Sequence, residues 1–446
     1  MPQILIVDPE PKLSHELTGL LAYSGDEITW LRSGAEAQAR LASSEPVGAL
    51  IIDAAIDGGD VLPLIQAVKK RAPILLLTEP LDPSALIERS KQGIDVSLIK
   101  PVHGRELVLW LHALMRGRTR VVCIGGGTGL YTLLLGLKTL PNVYISAVVN
   151  MSDDGGSSGR IREAFGMLPP GDIRRCLVAL STAPALMNEL LQYRFQEGEG
   201  LSDHNLGNLL LTAMTRLTGS MSAAVRAMSD ILHTQGIVLP ATDTLCTLNA
   251  ELENGAVIRG EHKIDVPSDR DPNLRIRRLW HEPVAEANPQ AVAAILAADV
   301  VTIGPGDLYT SILATLQVRG IAEAVRSCRG KKIYIGNLMT KPGETSGFSV
   351  SDHVRAIAEP VGGVHLDAVL VSSSPVSEEA RRLYSSKGQE PVTLDAQNLP
   401  SLTRAALWCR DIGKEQELVR HDSGKLANEI ARLIGMPGSP AVKSRA

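Results

Sequence analysis

Short apolar runs recur along the chain, and each stops at a polar residue, a glycine or a proline. Residues 3–7, 49–52, 74–77 and 96–99 predict buried strands ending at Asp8, Asp53, Thr78 and Lys100-Pro101. Helical spacing predicts helices over 12–24, 61–71, 83–93 and 105–117. The rhythm then returns, with strands predicted over 121–124, 143–149, 299–303, 332–335 and 368–371. Helices are predicted over 130–140, up to Leu180, over 209–217, around Tyr384 and over 425–434. Runs this apolar, without alternation, are what parallel strands covered on both faces require. One stretch breaks the rhythm. Residues 237–265 alternate with period two around Glu253-Asn254-Gly255 and predict a β-hairpin insertion. Residues 270–278 read as a charged, exposed connector.

The pattern predicts an α/β protein with two units. Residues 1–116 read as a flavodoxin-like, receiver-like unit. Residues 117–436 read as a Rossmann-like three-layer α/β/α domain carrying the hairpin, and 437–446 as a disordered tail. The linker, 116–119, is too short for a flexible tether, so the units are expected to pack together.

The richest chemistry lies in residues 120–175. The strand at 121–124 breaks into Gly125-Gly126-Gly127-Thr128-Gly129 and a helix follows. Such a turn aims backbone N–H groups and a helix dipole at an anion. The next strand ends in Asp153-Asp154-Gly155-Gly156-Ser157-Ser158-Gly159-Arg160, a second loop with carboxylates, hydroxyls and an arginine. The strict dinucleotide fingerprint is not met, because its third glycine falls on Leu130 or Thr132. Asp172 is placed to cap the helix running to Leu180, or to face a ligand. His204, Asn205 and Asn208 sit at a helix start, where they are either caps or ligand contacts. A further glycine loop, Gly304-Pro305-Gly306, leads to Tyr309 and Thr310, whose backbone and hydroxyl suit an anion. No Ser-His-Asp or Cys-His arrangement for nucleophilic catalysis is visible.

Composition narrows the classes. The chain has 446 residues, 44% of them hydrophobic and 21% charged, which fits a globular protein. The net charge of −4 lies wholly in residues 1–116, with 11 basic and 15 acidic residues, leaving 34 of each elsewhere. No basic face points to nucleic acid. The five cysteines are scattered without a CxxC, so they are expected to be reduced core residues of a cytoplasmic protein. The start of the chain runs directly into a strand, so no leader is expected, and no apolar run reaches the roughly 18 residues of a membrane span.

The series Asp8, Asp53, Thr78 and Lys100-Pro101 resembles the receiver domain of response regulators. The resemblance implies Asp53 as phosphoacceptor, Asp8 as metal-holding acid, Thr78 as the phosphate-sensing hydroxyl and Lys100 as charge partner. It further implies a histidine kinase or a small phosphodonor as partner. Pro9 replaces the second acid that receivers carry. The metal role of Asp8 and Asp53 is therefore open, as is the choice between phosphoacceptor and plain interaction surface.

The stretches IGGGTGL, DDGGSSGRIR, LPPGDIRRCLVALS, HNLGNLLL, GPGDLYTSI, NLMTKPGET, SDHVRAI and RHDSGKLA resemble the gluconeogenesis-factor (YvcK/CofD-like) family. The bacterial branch implies a UDP-sugar ligand, such as UDP-N-acetylglucosamine, and support of cell shape and envelope synthesis during gluconeogenic growth. The CofD branch implies a 2-phospholactate transferase using Mg²⁺, for which Asp153, Asp154 and Asp172 would be the candidate ligands. The diphosphate is expected over Gly125–Gly129, with Tyr384 against the base and Arg420 on the diphosphate. Departures at Asn150-Met151-Ser152 and Ser372-Ser373-Ser374 are expected to touch the crevice. A homo-oligomer is expected.

Overall fold

The computed structural model describes residues 3–10, 19, 26–43, 45–69, 71–268, 270–358 and 365–436. Most of the predicted helix over 12–24 and the tail at 437–446 lie outside the described residues.

Two parallel sheets organise the chain. The first contains β1 (Gln3–Val7), β2 (Ile28–Leu31), β3 (Val47–Asp53), β4 (Ile74–Thr78) and β5 (Val96–Ile99), in the order β2-β1-β3-β4-β5. That is the flavodoxin-like order, with its switch point between β1 and β3. Strand β2 was not predicted. Its residues are only half-buried and lie between polar neighbours, so no apolar run announces it.

The second sheet has seven strands, all parallel: β6 (Thr119–Gly125), β7 (Val143–Val149), β8 (Ile237–Pro240), β12 (Val300–Ile303), β13 (Lys331–Ile335), β14 (Ala368–Ser372) and β15 (Ala406–Arg410). Their order, β15-β14-β13-β12-β6-β7-β8, is a Rossmann order extended by one strand. The switch point lies between β6 and β12, which pair from Val121–Val300 to Ile124–Ile303.

The insertion differs from its prediction in two ways. Residues 237–240 form β8 at the edge of the main sheet, not the first arm of a hairpin. The Asn254-Gly255 turn does join a hairpin, β9 (Thr247–Leu252) and β10 (Val257–Arg259), with Gly255 at φ +83°. The expected connector then supplies a third strand, β11 (Ile276–Glu282), whose Ile276, Leu279 and His281 are buried beneath a row of arginines. Residues 261–265, expected as strand, form the helix Glu261–Asp265. A two-stranded ribbon, β16 (Gly413–Glu415) and β17 (Val419–His421), precedes the final helix, Ser423–Leu433.

The two sheets share one apolar core. The helix Gly104–Met115 ends the first unit and buries Leu107, Trp110 and Leu111. The Trp110 ring lies 4.5 Å from that of Tyr144 on β7. Aliphatic and aromatic burial across this seam dominates its energetics, with the ring pair adding about 1 kcal/mol.

Candidate functional site

At the switch point two glycine loops meet. The helix Gly127–Leu137 starts within the first loop, three residues before the sequence predicts. A Cβ on Gly129 would lie 2.5 Å from the Pro305 carbonyl oxygen, so only glycine lets this helix approach the second loop. A Cβ on Gly126 would lie 2.6 Å from Asp172 Oδ2. Above the loops opens a cavity of about 540 Å³. Gly126, Gly127, Thr128, Gly129 and Gly306 form its floor; Asp153, Asp172, Arg175 and Lys341 line its sides, and Tyr384, Arg420 and His421 the far wall.

Asp172 does not cap its helix. The cap position of Gly171–Leu180 is Pro170, and Asp172 lies buried in the first turn, where Oδ2 accepts from the Gly127 N–H at 2.8 Å. The glycine loop therefore already holds a carboxylate. Burial, then the charge of Asp153, raises this carboxyl to about 6 against the opposing pull of Arg175. Glu261 enters from the insertion and is raised to about 10 by burial and by Asp153, Asp265 and Asp154.

A second acidic group sits beside these. Asp265, Asp307 and Glu344 bring carboxylate oxygens together, but the Lys341 ammonium lies among them, bonded to Asp265 and 2.8 Å from Asp307. Glu344 is buried and accepts from Tyr309 N at 2.8 Å, Thr310 N at 3.3 Å and Thr310 Oγ1 at 2.9 Å. These bonds bind the second glycine loop to the Lys341–Glu344 turn. The loop continues as an unusual π-helical turn, Leu308–Leu313, a distortion that often accompanies functional sites.

Several predicted contacts do not reach the cavity. Gly125 and Gly304 lie behind the floor. Asp154 turns away and accepts from the Glu261 and His262 N–H groups, capping the helix of the insertion. The expected second loop is largely the helix Gly156–Phe165, which removes Ser157, Ser158 and Arg160 from the ligand space. Ser157 Oγ instead joins His204 Nδ1 at 3.1 Å and Asn208 Nδ2 at 3.2 Å, while Asn205 caps Leu206–Thr218. Ser158 is buried against Gly171, and Arg160 donates to the Ser202 carbonyl. Tyr309 and Thr310 hold Glu344. Asn150 is buried and donates to the Thr310 carbonyl, and Ser152 supports Asn150, so this departure braces the loops from behind. Ser372 and Ser374 line a separate cleft of about 660 Å³ that shares Leu338 and Val419 with the cavity.

The structure does bring Tyr384 and Arg420 to one wall. The Tyr384 hydroxyl accepts from Val419 N at 2.9 Å, which anchors the ring. Beside it, burial lowers the His421 imidazole to about 4, and its Nε2 faces the Gly336 carbonyl at 3.2 Å. Lys341 and His421 stand within motifs recognised in the sequence, but nothing in their spacing shows that they line the cavity. Glu261, His262 and Asp265 come from the insertion and carry no sequence signal at all.

At the first sheet's switch point Asp8, Asp53 and Thr78 are buried, and Lys100 Nζ lies 2.7 Å from Asp53 Oδ2. Burial, then the Asp53 charge, raises Asp8, while the Glu10 N–H on Oδ1 opposes this. Pro9 and Glu10 are exposed.

Parallel strands, glycine loops and a polar cavity at the switch point define a Rossmann-type fold with a candidate ligand crevice. Residues 121–409 match the family described as 2-phospho-L-lactate transferase CofD. The gluconeogenesis factor of Bacillus subtilis is 40% identical over 321 residues, covering 72% of this chain and 99% of its own. That of Halalkalibacterium halodurans is 41% identical over 322 residues, covering 72% of this chain and 97% of its own. The crystal structure of protein BH3568 from Bacillus halodurans superposes with a TM-score of 0.67 at 41% identity, over 70% of this chain and 99% of that one. The chain belongs to the gluconeogenesis-factor family, YvcK/CofD-like. Among the described residues no helix is long and apolar enough to cross a membrane.

Proposed function

We propose that this chain is a nucleotide-sugar-binding regulator whose ligand is of the UDP-N-acetylglucosamine type. The observation that carries this is the cavity itself. It offers about 540 Å³ at the switch point, glycine backbone on the floor and an anchored ring with a guanidinium on the wall. Arg420 and Arg175 would take the diphosphate, Tyr384 the base, and Asp153 the sugar hydroxyls. Relatives named gluconeogenesis factors support a role in growth on gluconeogenic carbon, with cell shape and envelope synthesis as the process served. The proposed setting is cytoplasmic and homo-oligomeric. The first sheet would answer to a histidine kinase or small phosphodonor through Asp53.

Mg²⁺ is the ion the family implies. The acids around Lys341 already enclose that ammonium. Asp153 and Asp172 both line the cavity, where Arg175 and Arg174 offset part of their negative charge, so these two fit a divalent cation. It would supply charge neutralisation beside the diphosphate.

One observation favours a second reading, a phospho-group transferase of the CofD type. The adjoining cleft has room for a second substrate. Calorimetric titration of UDP-N-acetylglucosamine, without and with Mg²⁺, into wild type and Arg420→Ala tests both. Saturable binding, weakened roughly tenfold by the substitution with the ligand unchanged afterwards, supports the regulator. Consumption of the ligand supports the transferase. No binding refutes the assigned ligand.

A further inference from the structure

A second cleft, of about 520 Å³, opens where the two sheets join, at the N-terminal ends of β7 and β8 and away from the nucleotide cavity. Arg105 and Leu109 come from the first unit, Arg118 from the linker, Lys138 and Asn142 from the turn before β7, and Thr182 and His233 from the far side. Four of its lining side chains are basic or can become so, and none is acidic. This is unexpected in a chain of net charge −4.

The nearest offsetting charge is Asp230, 3.3 Å from Arg105 NH1; Arg105 also bonds the Ser229 and Thr234 carbonyls, the latter at 2.8 Å. The other cations meet carbonyls or nothing. Lys138 Nζ donates to the Ser181 carbonyl at 3.2 Å, and burial lowers this ammonium. The Arg118 backbone N–H donates to the Ala113 carbonyl at 2.8 Å, but among the described residues its guanidinium makes no ion pair or hydrogen bond. The field is felt nearby, since burial and then Arg116 and Arg118 lower His112 against the pull of Asp26.

A concave, partly desolvated surface with unpaired guanidinium and ammonium groups is suited to multivalent anions. We propose that this junction cleft binds a small anion bearing two or more phosphate or carboxylate groups, at a site separate from the nucleotide cavity. Arg118 grips one anionic group in a fork, Lys138 meets the other, and Arg105 positions the wall. The ligand contacts both units at once, so its occupancy fastens the seam beside Trp110 and Tyr144.

The test is calorimetric titration of inorganic pyrophosphate and, separately, citrate into the full chain, with tryptophan emission compared between wild type and Trp110→Phe as second readout. The Arg118→Gln/Lys138→Gln variant is expected to bind at least roughly tenfold more weakly, while its titration with UDP-N-acetylglucosamine stays as in wild type. Arg420→Ala should leave citrate binding unchanged. Saturation by pyrophosphate alone identifies a phosphorylated ligand, by citrate alone a polycarboxylate, and by both a site for either. Each of these supports the site. Equal binding by wild type and the double variant, loss of citrate binding in Arg420→Ala, displacement of citrate by the nucleotide sugar, or no saturation by either anion overturns it. Should the double variant unfold, His233→Gln and Arg118→Gln alone carry the same comparison. Failure of nucleotide-sugar binding leaves this outcome untouched.

Discussion

The two parallel sheets each open at a switch point, yet what stands there is opposite in kind. In the first sheet the opening is filled with side chains: Asp8 and Asp53 end β1 and β3, and Lys100 closes over them. In the second, β6 ends in Gly125 and β12 runs on into Gly304, and the opening stays wide. Topology puts a crevice at both places. The residue size at the strand ends then decides how much room the crevice offers, and on the proposed reading it would suit a phosphoryl group in the first sheet and a nucleotide in the second.

This contrast can be broken most forcefully at Glu344. Replacing it with alanine strips the acceptor from three donors and leaves Lys341 with fewer partners in a dry site. A loss of about 3–5 kcal/mol is expected on urea unfolding. A loss below about 1 kcal/mol would show that the second glycine loop stands without its buried anchor.

Asp172 gives a pH signature of opposite sign to a normal salt bridge. Its carboxyl is raised from 3.8 to about 6, so between those values the folded state holds more protons than the unfolded one. Stability contributed by this group is therefore complete below 3.8 and falls as pH rises through about 6. Asp172→Asn should gain on wild type by up to about 3 kcal/mol above that pH and by little at pH 4. A gap that does not change with pH would remove the titration from the account.

Gly129→Val forces a side chain against the Pro305 carbonyl. Overpacking should cost about 1–3 kcal/mol in stability, and nucleotide binding should disappear from calorimetry. Retained binding would mean the floor is not made by the meeting of these loops. The smallest effect is expected from the first sheet. Acetyl phosphate with Mg²⁺ should alter affinity in the cavity about fivefold in wild type and leave Asp53→Asn unmoved. An unmoved wild type would uncouple the two openings.

Most strands were legible because burial on both faces writes a continuous apolar run, as in 143–149. Of the strands buried on one face or half-buried, β9 and β10 were legible through their alternation around Asn254-Gly255, while β2 and β11 were not. Strand β11 spends Arg277 and Arg278 on its outer face and so looked like a charged connector. At the site, Gly126, Gly127, Gly129, Gly306 and Asp153 were legible as strand-end loops and Tyr384 and Arg420 through the family resemblance; all of them line the cavity. Glu261 was not, because only the tertiary cap between Asp154 and the insertion carries it to the crevice. Likewise Ser157, His204 and Asn208 had the chemistry of ligand contacts but spend it on one another.

The carboxylate seated on the Gly127 N–H has a consequence for selectivity in a crowded metabolite pool. An empty glycine nest would be open to any small anion, orthophosphate included. Here any anionic guest must evict, protonate or bridge an internal occupant before the loop responds. Weak, single-point guests gain too little to do so. On the proposed reading, a guest that also engages the far wall would gain enough, and the loop would act as a gate read only by the whole molecule.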